Sequence, residues 1–147
     1  MTNILSGKEI SAKLIEFGDI NEYDDVSVWV PKNEIFRVCD FLKNDTDSKF
    51  VFLRSISAVD YIEYFEIIYH LVSFEFNNSC VVKTKCYGRA DAFLQSVTSL
   101  WTGADLQERE IWDLMGVRFE GHPNMKRILL WEGFEGHPLR KDFIGSN

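Results

Sequence analysis

A chain of 147 residues fits a single domain and is long enough to bury a substantial core. Its formal net charge of −7 at pH 7 weighs against nucleic acid and anionic membrane surfaces as primary partners, since long-range repulsion opposes both. Hydrophobic (46%) and charged (27%) residues stand at ordinary globular proportions, but the 14% aromatic share is high and implies a dense core or aromatic surface committed to partners. Cys39, Cys80 and Cys86 form no CxxC, and three thiols are fewer than the roughly four an iron–sulfur cluster requires, so they read as small buried hydrophobes. No charged-then-apolar leader opens the sequence, and no run reaches the roughly 18 to 20 apolar residues of a membrane span.

In chain order, Ser6 and Glu9 form a capping box at the start of a helix, with Leu5 and Ile10 as its hydrophobic staple and Gly18 closing the far end. Ile10, Leu14 and Phe17 share one face of it. Val26 to Val30 alternates with a two-residue period and stops at Pro31, which predicts a strand followed by a second helix carrying Ile35, Val38 and Leu42. After the polar turn at residues 44–48, Phe50 to Ile56 reads as a short strand. Tyr64 to Phe76 is long and rich in aromatic and β-branched residues. Asn77-Asn78-Ser79 turns it into a last strand, Cys80 to Tyr87, in which Cys80, Val82, Thr84 and Cys86 face one way. The expected class is α+β: an antiparallel sheet of about four strands with helices on one face.

Past Gly88, Ser96 is expected to cap a short helix through Trp101, and Asp105 with Glu108 forms a second capping box for a helix ended by Gly116. Residues 1–115 are therefore assigned to the α+β domain. Residues 116–147 are punctuated by Gly and Pro and cannot sustain long regular elements. They nevertheless carry Leu129, Trp131, Leu139 and Phe143, with Lys126, Arg127, Arg140 and Lys141 among them. Such a segment is costly to leave in water, so it reads as a strap lying on this domain and on another protein.

The run Glu108-Arg109-Glu110 continues through Asp113, Leu114 and Met115 to His122, Pro123, Lys126, Arg127, Ile128 and Leu129. It resembles the signature of the 30-kDa subunit family of respiratory complex I. A second block, His137-Pro138-Leu139-Arg140-Lys141-Asp142-Phe143, follows at the family's spacing. Asn124, Met125 and Ile144 depart from the usual residues at their positions. The resemblance implies a peripheral-arm subunit of NADH:quinone oxidoreductase, held by partner subunits on the cytoplasmic face of the membrane in a hetero-oligomer. Its partners would be the large subunit that helps form the quinone site and the neighbouring iron–sulfur subunits. FMN and iron–sulfur clusters would belong to those partners, with no cofactor and no direct chemistry in this chain.

Physically, Glu110 and Asp113 lie three apart on one helix face and can receive Arg118, Arg127 or Arg140, either fixing the strap in register or pairing across an interface. The triplets Gly121-His122-Pro123 and Gly136-His137-Pro138 could offer imidazoles to a metal beside Glu108 and Asp113, but His–Pro between glycines is first a rigid kink. Trp101, Trp112 and Trp131 read as buried anchors, with an interface role as the alternative. No GxGxxG or phosphate-cradling loop occurs, so nucleotide binding is not expected. Two rival functions remain: the equivalent subunit of a membrane-bound hydrogenase, a reduced-deazaflavin dehydrogenase or a photosynthetic complex I-like enzyme, and, in another class, a free-standing metal-dependent hydrolase.

Overall fold

A computed structural model describes residues 2–18 and 20–145; residues 146 and 147, the end of the expected strap, lie outside the described residues. Three long strands form the centre of the molecule: β3 (Phe52–Asp60), β4 (Tyr64–Ser73) and β5 (Asn78–Tyr87). They are antiparallel, with Phe65 opposite Asp60 on one side and Cys86 on the other. Two short strands, β1 (Asn3–Ile4) and β2 (Ser27–Trp29), both add to the free edge of β5 and run parallel to it. The class is α+β as expected, with an antiparallel centre and this parallel fringe.

One face of the sheet is apolar because the two-residue period of its strands puts Phe65, Ile67, Tyr69 and Leu71 of β4 beside Cys80, Val82 and Cys86 of β5. Helices α1 (Gly7–Lys13), α2 (Ile35–Asn44) and α3 (Ala104–Met115) cover that face. Helix α1 begins as its sequence specifies: Ser6 Oγ accepts from the Glu9 amide at 3.2 Å, and Glu9 returns the bond to the Ser6 amide at 2.7 Å. It buries Ile10 and, at its C-terminal cap, Leu14 completely, while α2 buries Ile35, Val38, Cys39 and Leu42. All three cysteines are free and buried, and burial pushes the Cys39 and Cys80 thiols far above their ordinary range.

Two local expectations fail, each for an identifiable reason, and one element was not foreseen. Residues 96–101 form a turn instead of a helix: Ser96 Oγ accepts the Thr98 amide at 3.1 Å but donates to the buried Glu108 carboxylate at 2.6 Å, which ties it to α3. The same bond removes the second capping box. Helix α3 starts after Gly103 with no side-chain cap, and Glu108 is buried in the domain interior. A parallel pair, β6 (Phe93–Gln95) with β7 (Arg118–Glu120), had no alternating run long enough to announce it. It places Val117 and Phe119, the first apolar residues after Gly116, in the common core.

Candidate functional site

The two sequence blocks converge on the C-terminal end of α3. A helix leaves its last carbonyls without intrahelical partners, and its dipole makes that end negative. Gly116, with φ of +79°, turns the chain sharply there, and its amide closes on the Trp112 carbonyl at 2.8 Å. The strap then supplies donors for the carbonyls that remain. Arg127 Nη1 and His137 Nδ1 both donate to Asp113 O, at 2.8 and 2.9 Å. The Leu139 amide donates to Leu114 O at 2.8 Å, and Arg140 Nη1 reaches Met115 O at 3.5 Å. Two guanidiniums thus stand at the negative end of the helix.

Asp113 is the hub of this arrangement. Its side chain is fully buried, and Oδ2 accepts the consecutive amides of Ile128, Leu129 and Leu130 at 3.1, 2.8 and 3.0 Å. Oδ1 takes Arg127 Nη1 at 2.9 Å. Burial pushes its pKa up, but the three amides and the guanidinium outweigh this and leave it below the usual carboxylate range. Arg127 also donates to the carbonyls of Phe134 and Gly136, and its guanidinium lies over the rings of Trp112 and Phe134. From one turn earlier on α3, Arg109 holds the carbonyls of Lys126 and Arg127 at 3.1 and 2.9 Å.

A second clasp fixes the end of the strap. Asp60, at the end of β3, takes both Nη groups of Arg89 and the backbone amide of Lys141. Arg89 also meets Asp142, which is gripped by Arg140 at 2.8 and 3.0 Å. The Arg89 guanidinium holds Asp60 well below the usual carboxylate range, while Arg140 and then Arg89 lower Asp142 to about 2. Arg140 Nη2 crosses to the Arg89 carbonyl, and both guanidiniums lie over the Phe65 ring.

The remaining signature residues separate by role. Glu108 accepts from Ser96 Oγ and the Val97 amide; burial raises its pKa despite these two bonds. His122 Nδ1 accepts the Asn124 amide at 2.9 Å, so its Nε2 carries the proton and donates to the Asp105 carbonyl at 3.0 Å. His122 thus uses both ring nitrogens on main-chain groups, with Asp105 Oδ1 also 3.1 Å from its Nε2, and His137 uses its Nδ1 on the Asp113 carbonyl. Among the described residues no group of three or more His, Cys, Asp and Glu is placed to hold a metal ion. Glu110, expected to receive an arginine with Asp113, is exposed and makes no ion pair among the described residues, because Arg127 and Arg140 are drawn to the helix end instead. Pro123, Lys126 and Lys141 are exposed, and Pro138 is half-buried. Of the three tryptophans, Trp101 is buried and Trp112 partly so, but Trp131 is 69% exposed. Leu129 (61%), Leu139 (59%) and Ile144 (90%) are exposed with it.

Asp113, Arg127, Asp60, Arg89 and Arg140 thus hold the strap in place, with Leu129, Trp131, Leu139 and Ile144 exposed on it. Fold and site together define an α+β domain whose C-terminal strap caps the end of α3. The chain belongs to the family described as respiratory-chain NADH dehydrogenase, 30 Kd subunit, whose model matches residues 28–147. It is 44% identical over 117 residues to a NADH-quinone oxidoreductase subunit of Rhizobium meliloti, covering 78% of this chain and 63% of that protein. It is 42% identical over 123 residues to the mitochondrial NADH dehydrogenase [ubiquinone] iron-sulfur protein 3 of Candida albicans, covering 82% and 43%. The chain thus spans less than two thirds of the length of either relative. In three dimensions it is similar to a chain of the membrane-bound sulfane sulfur reductase, an archaeal respiratory membrane complex, with a TM-score of 0.72, 28% identity, and coverage of 94% and 85%.

Proposed function

We propose that the chain is a structural subunit of the peripheral arm of a proton-translocating NADH:quinone oxidoreductase. It lies on the cytoplasmic face of the membrane and braces the large quinone-site subunit and neighbouring iron–sulfur subunits. It carries no redox centre and no catalytic residue; FMN and iron–sulfur clusters reside in its partners. One observation carries the reading: Leu129, Trp131 and Leu139 are exposed on a strap that Arg127 and Arg140 hold against the end of α3. Exposed apolar groups on a fixed backbone are what an interface with another protein requires. Family membership supports the choice of partner.

The test is Leu129→Ser with Trp131→Ser, scored by the amount of complex on a native gel and by NADH:quinone turnover per assembled complex. Assembly should fall several-fold while turnover per remaining complex stays near that of the parent. Full assembly with collapsed turnover would place the strap in the chemistry and overturn the scaffold role. A second reading is supported by the likeness to the sulfane sulfur reductase chain: the same scaffold in a membrane complex with another electron donor. The flavin- and NADH-binding subunits that co-purify with the chain, or their absence, discriminate the two.

A further inference from the structure

The face of the sheet opposite the helices carries a cleft between β3, β4 and β5. Around the Phe52 end of β3 this face combines two features. The first is apolar: Phe52, Phe74, Ile4 and Val26 are between 46% and 66% exposed, and the rings of Phe52 and Phe74 meet at 5.4 Å. The second is cationic. The register of β3 on β4 slips between Leu53 and Ser55, and this bulge carries Arg54, which is exposed, to the rim of a cleft of about 330 Å³ that it lines together with His70, Val72 and Val81. Lys83 follows two residues beyond Val81 on the same face of β5, its ammonium 4.8 Å above the Trp29 ring. Arg54 and Lys83 both act on His70, whose pKa burial and then these two cations lower, which favours the neutral imidazole.

None of the residues lining the cleft is acidic. Three carboxylates of this chain have partners of their own, although the Lys83 charge also acts on Asp24. Asp24 accepts from the amides of Val26 and Ser27 and from Ser27 Oγ, and Glu75 pairs with Lys49. Glu66 accepts from Trp29 Nε1. Arg54 and Lys83 form no ion pair among the described residues. A guanidinium and an ammonium flanking an aliphatic floor, with a neutral imidazole between them, match a carboxylate carried on an apolar segment.

We propose that this open face is a second docking surface, taking an extended apolar segment of another subunit that carries an aspartate or glutamate between Arg54 and Lys83. The inference rests on membership of a multisubunit assembly, but it concerns the side of the domain away from the strap. In the purified native complex, a zero-length carbodiimide joins an ammonium only to a carboxylate already in contact with it. Lys83 should form an isopeptide bond with an aspartate or glutamate of another chain, flanked by aliphatic residues, and tryptic mass spectrometry reads the linked pair. Arg54→Glu should cut the yield of that pair at least tenfold. Arg54→Lys should preserve it and create a second isopeptide bond, from residue 54 to the same partner segment. Lys83 coupled only to Asp24 of its own chain, or coupled to a partner with a yield indifferent to Arg54→Glu, would overturn the proposal. So would flotation of the isolated chain with phosphatidylglycerol vesicles in an Arg54-dependent manner, since the occupant would then be a lipid surface. A chain that enters the complex but shows no coupling at Lys83 fails this inference alone; a chain absent from any complex fails the proposed function with it.

Discussion

Replacing Asp113 with asparagine changes no volume and removes one charge, so it isolates what the carboxylate does for the strap. In the parent, four hydrogen bonds end on its two oxygens: three backbone amides on Oδ2 and Arg127 Nη1 on Oδ1. The asparagine can turn its carbonyl toward the three amides, but its NH2 then faces Arg127, a donor against a donor. Each amide bond also weakens from a charge-assisted bond to a neutral one, a difference of about 1 kcal/mol apiece. Arg127 keeps the carbonyls of Asp113, Phe134 and Gly136, which limits the damage. The expected cost is about 3 kcal/mol, at the lower end of the range for breaking a buried pair, or roughly a hundredfold in the local opening equilibrium. Hydrogen exchange read by mass spectrometry is the direct assay. The amides of residues 128–130 should exchange about a hundredfold faster in Asp113→Asn, by the same conversion of free energy to equilibrium. Central amides of β4 and β5 should be far less affected. Exchange at residues 128–130 within threefold of the parent would refute the claim that Asp113 holds this segment.

Three further outcomes are expected. Ser6→Ala removes one half of the capping box and should lower stability by about 1 kcal/mol, visible as a lower urea midpoint with an unchanged slope. Gly116→Ala puts a Cβ at positive φ, 2.8 Å from His137 Cδ2, and should cost at least about 2 kcal/mol by the same measurement, whereas Gly103→Ala, with open space at its Cβ, should not. The Asp60 clasp gives a pH dependence. Because Asp60 is held below its ordinary 3.8, its contribution is complete above about pH 4 and is lost as pH falls through the lowered folded value. The thermal midpoint of the parent should therefore drop more steeply between pH 5 and pH 2.5 than that of Asp60→Asn; parallel curves would sink the assignment.

The elements that were legible in the sequence are those whose signal is local. The alternation through Cys80, Val82, Thr84 and Cys86, the capping box at Ser6 and the stop at Gly116 each involve residues within a few positions of one another. What escaped depends on partners distant in the chain. Glu108 three residues after Asp105 satisfies the local rule for a cap, yet Ser96 and the Val97 amide, twelve and eleven residues away, hold it inside the domain. At the site, the sequence grouped Asp113 with the right arginines but could not tell Arg127 from Arg118 or Arg140. The choice was made by the unsatisfied carbonyls at the end of α3, which exist only once the helix has formed. Trp131 was expected inside because apolar size was the only criterion available; the backbone on either side of it is tethered by Asp113 and Arg127, which leaves its ring outside.

The three amides gathered on one oxygen of Asp113 also bear on how tightly a strap of this kind can be held by a neighbour. Ordering a flexible segment on contact would lose about 1 to 2 kcal/mol of backbone entropy for each residue fixed. Residues 128–130 are already immobilised by the domain's own aspartate, so that loss falls on the folding of this chain and not on the association step. In the proposed interface, ~3 to 6 kcal/mol of a contact made by Leu129 and its neighbours would be left to appear as affinity. A variant that loosens the loop would weaken association by slowing the encounter and hastening departure, even with every exposed side chain unchanged.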